Sequence, residues 1–299
     1  AKFLTLTNAC TSAIVLALKC ANVNPGDDVV TTAMTCVATN TPIVNAGANI
    51  VWADIDADTG MLTLESIRSV VTPKTKAVII VAWAGTPPAE LDLIYGWCLD
   101  NKIKLILDAA HAFQAEFMNH PIHKFADYSC YSFQAIKHFT TGDGGAIITN
   151  DENDYRRLNA LKWFGLDRDS AKDAKGNWKG QQWDADIVEA GYKFNMNNIE
   201  AAIGLANIEK IDEIIARHRR NANQLDLHFQ HNKYITPTQK PFSKSSNWVY
   251  TVLINDLQEI SRDILVEKLN QKGVAAGLVH IPNLIYTAFD KFYKYLPNT

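Results

Sequence analysis

The sequence has no apolar run long enough to cross a bilayer. Its longest, AVIIVAWAG (77–85), suits a buried strand and falls well short of the roughly 20 residues that a spanning helix needs. Nor is there an excess of charge of either sign: a net charge of −3 over 299 residues gives no electrostatic footprint for nucleic acid or an anionic membrane. The five cysteines (Cys10, Cys20, Cys36, Cys98, Cys130) are odd in number and scattered, and no CxxC pair occurs. Neither a disulfide framework nor a metal site is expected, and reduced thiols in a cytoplasmic protein are. No GxGxxG follows the first strand and no GxxxxGK[ST] occurs, so dinucleotide and P-loop readings have no support. The opening AKFLTLTNAC lacks the charged and apolar regions of a signal peptide. It also begins without methionine, at what reads as mid-fold, and the chain is expected to be a fragment.

What is present is an alternation. A helix pattern at 11–21 follows TNAC, and PGDDVV (25–30) reads as turn then strand. Residues 33–47 read as loop then helix, 49–56 as a strand, and 62–71 as a helix starting near Thr63. Strand KAVIIVA (76–82), helix 89–101 and strand KLILD (104–108) continue the series. Strands separated by helices of this length predict βαβ units and an α/β fold with a mostly parallel mixed sheet flanked by helices. Residues 151–165 form an amphipathic helix pattern, and 166–190 a polar excursion with Trp178 and Trp183 among charges. A long helix is expected from about Asn198, with a domain boundary near residue 221. A strand at 247–255 and a helix at 261–273 then predict a smaller α+β C-terminal domain.

In open sheets of this kind ligands gather at the carboxyl ends of strands, and Asp108 falls at such an end in LILDAAHAF (105–113). Downstream, SFQAIKHFTTGDGG (132–145) carries Lys137 on a turn between the strand pattern DYSCYSF (127–133) and AIIT (146–149). A lysine over a pocket, partly desolvated, is poised to form a Schiff base; the same lysine at a bare hairpin tip would be a surface cation. Lysine plus a strand-end aspartate is the pair that pyridoxal phosphate (PLP) requires, the one for the imine and the other to keep the ring nitrogen protonated. The hydroxyls of Thr11 and Ser12 at a helix start suit a phosphate, or serve as a plain N-cap.

The ordered set formed by the small-residue and threonine helix start, PGDDVV, TCVAT, TKAVIIV, LDAAHAF, SFQAIKHFTTGDGG and GYKFNMNNIEAAIGLAN resembles the DegT/DnrJ/EryC1/StrS family. These are PLP-dependent sugar aminotransferases of the aspartate-aminotransferase-like fold (fold type I). The likeness runs from about Thr7 to Gly204 and is weaker beyond. It implies a large PLP-binding domain at 1–221 and a small domain at 222–299. Lys137 then matches the Schiff-base lysine, Asp108 the partner of the pyridine nitrogen, and His111 a residue beside the ring and its 3-hydroxyl. Thr11, Ser12 and Ser132 match phosphate contacts, and Gln134 is a polar neighbour of that site. Lys193, where the family often has asparagine, matches a residue that reaches the phosphate of the neighbouring subunit, which implies a homodimer with shared active sites. The implied reaction moves an amino group from an amino acid, by resemblance glutamate, to a keto group of a nucleotide-linked deoxysugar, as in cell-surface polysaccharide biosynthesis.

Two departures stand out. Cys10 replaces a common glycine, and Cys36 replaces an aromatic that often stacks on the cofactor, leaving His111 or Trp83 for that role. A family branch that removes a sugar hydroxyl has histidine in place of the lysine, and Lys137 argues against it. The alternatives are another fold type I enzyme, such as a cysteine desulfurase or an amino-acid aminotransferase, and a non-catalytic relative that binds PLP or a sugar nucleotide.

Overall fold

The computed structural model describes residues 3–168, 170–173, 175–181, 184–238, 243–255 and 261–299. Its first half runs β1 (Phe3–Thr7), α1 (Cys10–Cys20), β2 (Asp28–Thr31), α2 (Val37–Asn45), β3 (Asn49–Trp52), α3 (Leu64–Arg68), β4 (Thr75–Val81), α4 (Leu91–Asp100) and β5 (Lys104–Asp108). The small strands β6 (Glu116–Phe117) and β7 (His120–Pro121) lead to β8 (Tyr128–Ser132), β9 (Gly145–Thr149) and α5 (Glu152–Leu161). Beyond these come α6 (Asn198–Asn207), α7 (Ile211–Phe229), β10 (Ile235–Pro237), β11 (Ser243–Lys244), β12 (Val252–Ile254) and α8 (Arg262–Gln271).

Seven strands form one sheet in the order β1-β9-β8-β5-β4-β2-β3. Only β9 runs against its neighbours β1 and β8. The run TKAVIIV is apolar on both faces because helices cover both. Ala77 and Ile79 of β4 pack with Ile14 and Leu18 of α1 on one side. Val78 and Ile80 pack with Leu91 and Ile94 of α4 on the other. Each such fully buried aliphatic side chain contributes about 1.5–3 kcal/mol. Among the described residues no helix is long and apolar enough to cross a membrane, and no group of three or more acidic, histidine or cysteine side chains is placed to hold a metal.

Most elements fall where sequence patterning puts them, and the exceptions have local causes. Thr63 caps α3 in a reciprocal box with Ser66. By contrast, α1 starts at Cys10 after Ala9 with no side-chain cap, so neither Thr11 nor Ser12 is the N-cap. β3 ends at Trp52 rather than running to residue 56. The long helix expected from Asn198 is two helices separated by a 3-10 turn at Ile208–Lys210, and α7 passes through residue 221 to Phe229. The strand expected over 247–255 forms only at Val252–Ile254. Asn247 there has a left-handed backbone (φ 49°), and the Ser246 and Trp248 N–H groups bond to the carbonyls of Gly85 and Ala84. Of the polar excursion, Trp178 pairs with Lys172 across a bridge, while Trp183 lies outside the described residues.

Two close approaches shape the end of the sheet where the strands stop. A Cβ on Gly145, the first residue of β9, would meet Ala9 C and Cys10 N at 2.6 Å, so only glycine lets β9 abut the start of α1. Gly85 (φ +101°) follows β4, and a Cβ there would stand 2.7 Å from Ser246 Oγ and 2.9 Å from the His111 carbonyl oxygen. This is what lets residues 245–248 close over that end of the sheet.

Candidate active site

Asp108 ends β5 between Val81 of β4 and Cys130 of β8, and is 5% exposed. Thr39 donates from Oγ1 to Oδ2 (2.7 Å), the Ala110 N–H donates to Oδ1 (3.0 Å), and Cys10 lies with Sγ 3.9 Å from Oδ1. Burial pushes its carboxyl above the usual carboxylate value, while Thr39, Ala110, Lys137 and Cys10 pull the other way. A carboxylate offers about four acceptor directions. Three are taken, and one on Oδ2 is left for a further donor.

Lys137 sits in the loop between β8 and β9. Its N–H closes a turn onto the Gln134 carbonyl (2.9 Å). His138 donates from Nε2 to the Ser246 carbonyl (3.0 Å), and Phe139 packs face to face with Phe113 (5.3 Å between centroids). α6 holds the loop from outside, with Gly204 against Thr141 and Phe139 and Asn207 donating to the Thr140 carbonyl (3.0 Å). The amine itself makes no ion pair among the described residues; Nζ lies 3.8 Å over the ring of Trp248. Burial holds it below the usual lysine value, against the attraction of Asp108, Cys10 and Cys36.

His111 is 5% exposed and stacks on Trp248 (4.0 Å, 19°) and on His280 (5.6 Å, 17°). Burial, then Lys137, His280 and His138, hold its imidazole well below the usual pKa, so it is neutral near pH 7. Its Nδ1 and the Nε2 of His280 are buried without a hydrogen-bond partner. Each orphan costs about 1–3 kcal/mol unless a ligand supplies the partner. Trp248 is fixed by its Nε1–H, which donates to the Ile136 carbonyl (2.8 Å).

The other expected site residues divide. Ser12 donates to Asn8 Oδ1 (2.7 Å) and, with Thr11, occupies the first turn of α1, whose leading residue Cys10 is at Asp108. Ser132, at the end of β8, and Gln134 line the start of the lysine loop, where the Gln134 N–H approaches Ser132 Oγ at 3.4 Å. Lys193 is exposed, bonded to Asn195 Oδ1 (2.6 Å) and stacked on Trp163 (3.9 Å); within one chain it joins none of the contacts around Lys137. Trp83, a candidate for ring stacking, packs instead against Gly60, Met61 and Ala84. Cys36 is exposed. Four residues of this cluster escaped sequence reasoning: Thr39, Trp248, His280 and Asn283. Only Trp248 carried a visible signal, as an aromatic next to a turn-forming Ser-Ser-Asn.

The chemistry of this donor set fits pyridoxal phosphate. There is a free amine of lowered basicity for a carbonyl, a carboxylate with one open acceptor direction for a ring N–H, and an unpartnered imidazole nitrogen for a ring oxygen. The uncapped start of α1 suits a phosphate. Sheet order and site together define an enzyme of the fold type I class. The whole chain, residues 1–299, matches the DegT/DnrJ/EryC1/StrS aminotransferase family and belongs to it. It is 34% identical over 298 residues to the uncharacterized protein MJ1066 of Methanocaldococcus jannaschii, covering 98% of this chain and 76% of that protein. Sugar aminotransferase CalS13 from Micromonospora echinospora is 29% identical with a TM-score of 0.86, over 99% of this chain and 78% of its own. The PMP form of Spr1654 from Streptococcus pneumoniae is 28% identical with a TM-score of 0.87, over 99% and 79% of the two chains. Spr1654 has also been solved in a PLP form.

Proposed function

We propose that the protein is a PLP-dependent aminotransferase that takes an amino group from glutamate and places it on a keto group of a nucleotide-linked deoxysugar. The observation that carries this reading is the Lys137 amine, desolvated, without an ion pair among the described residues, and electrostatically coupled to the buried Asp108 carboxylate at the end of β5. When bound, the cofactor supplies an electron sink for the carbanion left when the donor loses its α-proton. Lys137 would hold the cofactor through its amine and would serve as the base for the donor's α-proton. Asp108 would favour the protonated form of the cofactor's ring nitrogen, and Thr39 and the Ala110 N–H keep its carboxylate oriented for that task. His111, neutral, would offer its unpartnered Nδ1 to the cofactor. Thr11, Ser12, Ser132 and Gln134 would hold the phosphate, and Trp248 covers the amine. The five free cysteines accord with a reducing cytoplasm, where such sugars feed cell-surface polysaccharide synthesis.

The test is a two-stage assay. Glutamate alone is expected to convert the loaded enzyme in a single half-reaction, and a panel of nucleotide-linked keto-deoxysugars then to restore it. Restoration by simple 2-oxo acids alone would refute the sugar assignment.

The working unit on this reading is a homodimer with each site completed by the partner chain. α6 touches its own chain through Gly204, Ile203 and Asn207, while Ile199 and Leu205 are each 75% exposed and Ile136 in the lysine loop is 64% exposed. An apolar face of that kind calls for a cover, and a second copy is the one proposed. Lys193, just ahead of α6, would then meet the neighbour's phosphate as a cation. Lys137→Ala and Lys193→Ala chains, each weak alone, are expected to regain about one working site per heterodimer on co-expression. Absence of recovery would remove the shared site and leave the Lys137 chemistry intact.

A further inference from the structure

Thr39 is fully buried in the first turn of α2 and gives its hydroxyl proton to Asp108 Oδ2. An ionised carboxylate only accepts. The Thr35 hydroxyl, 2.8 Å from that of Thr39, must therefore donate to it, which fixes the direction of the pair. Thr35 is held in turn by the C-terminal segment: its carbonyl accepts from Asn283 Nδ2 (2.7 Å), and the Asn283 N–H bonds to the Ala33 carbonyl (2.8 Å). Asn283 Oδ1 accepts from Asn40 Nδ2 (2.8 Å), and Asn40 Oδ1 from Thr31 Oγ1 (3.0 Å). Asn40 and Asn283 are completely buried, Thr35 nearly so, and each side-chain donor in the chain has an acceptor. Such a network has one low-energy arrangement, because reversing any member strands a buried donor.

We propose that Thr39 is a positioning residue for Asp108, oriented by Thr35 and by Asn283, so that the C-terminal segment that carries His280 sets the hydrogen bond on Oδ2. The role rests on the reading of Asp108 as holder of the ring proton. His280 stacks near His111 three residues before Asn283, so a sugar that displaces this segment would also disturb the donor to Asp108. The charged and titratable groups facing Asp108 are Lys137 from the loop, Cys10 from α1 and Cys130 from β8. All remain in place when the hydroxyl alone is removed.

The experiment compares Thr39→Val, Thr39→Ser and Thr35→Val with wild type. In the cofactor-free protein, carboxyl carbon NMR, with Asp108→Asn to assign the signal, follows the titration of Asp108. Thr39→Val is expected to raise its midpoint, since a donor to the charged form is lost, and Thr39→Ser to leave it near wild type. Thr35→Val moves it the same way by less, and serves as the test if Thr39→Val fails to fold. With ring-nitrogen-labelled PLP bound, Thr39→Val is expected to shift the nitrogen resonance and lower kcat roughly tenfold, with KM within about twofold. An unmoved midpoint in Thr39→Val, or Thr39→Ser as impaired as Thr39→Val, would overturn the proposal. The cofactor-free titration stands apart from the PLP reading, which fails separately if Lys137 takes up no cofactor.

Discussion

A Lys137→Ala chain is expected to fold normally and to lose turnover by roughly 10³–10⁴-fold or more, because on the proposed reading one side chain would both hold the cofactor and move the donor's proton. Folding survives because the loop is held by its other residues. His138 bonds the Ser246 carbonyl, Phe139 stacks on Phe113, and Asn207 grips the Thr140 carbonyl. The Nζ gives up only its position over Trp248, a contact worth about 0.5–2 kcal/mol. Circular dichroism and thermal melting near wild type, with turnover gone, are the expected pair of results. Added methylamine should restore a small fraction of the rate by supplying the missing base. Turnover within about tenfold of wild type would mean that another group does the work.

Asp108→Asn is the second large effect. Asparagine matches aspartate in size, so PLP should still bind, yet it lacks the charge that on the proposed reading would keep a proton on the ring nitrogen. Turnover is expected to fall roughly 10²–10³-fold, the scale seen when one group aimed at developing charge is removed. A stability cost should accompany it. Thr39 and the Ala110 N–H now point at opposite oxygens of the carboxylate, and the amide replaces one oxygen with a second donor. One buried donor then lacks an acceptor, at about 1–3 kcal/mol, which is readable by denaturant melting. A wild-type rate in this variant would mean that the ring nitrogen is supported elsewhere.

The sequence made Asp108 and Lys137 visible because both sit at the edges of strongly patterned strands. KLILD ends where its apolar run ends, and the Gly-Asp-Gly-Gly after Lys137 marks a turn back into β9. Local pattern also foretold the mostly parallel mixed sheet and a helix start near Thr63. What it could not reach depends on contacts made far along the chain. Asn283 bonds residue 35 across 248 positions, and Trp248 is turned out of a strand by carbonyls of residues 84 and 85. The alternation in NWVYTVLIN was real, but tertiary hydrogen bonds overrode it at its start, and the strand begins only at Val252. Thr39 looked like an ordinary helical threonine until β5 brought a carboxylate beside it. The turn at Ile208–Lys210 carries neither glycine nor proline, so nothing in the apolar period announced the break. Lys193 is the converse case: its motif pointed across a subunit boundary, and within one chain it rests on Trp163.

The central claim is that Lys137 is the residue that carries the cofactor. Purified protein incubated with PLP, reduced with borohydride and digested should yield one labelled peptide, with the pyridoxyl group on Lys137 in SFQAIKHF. The label on a different lysine, with Lys137 unmodified, would contradict the account.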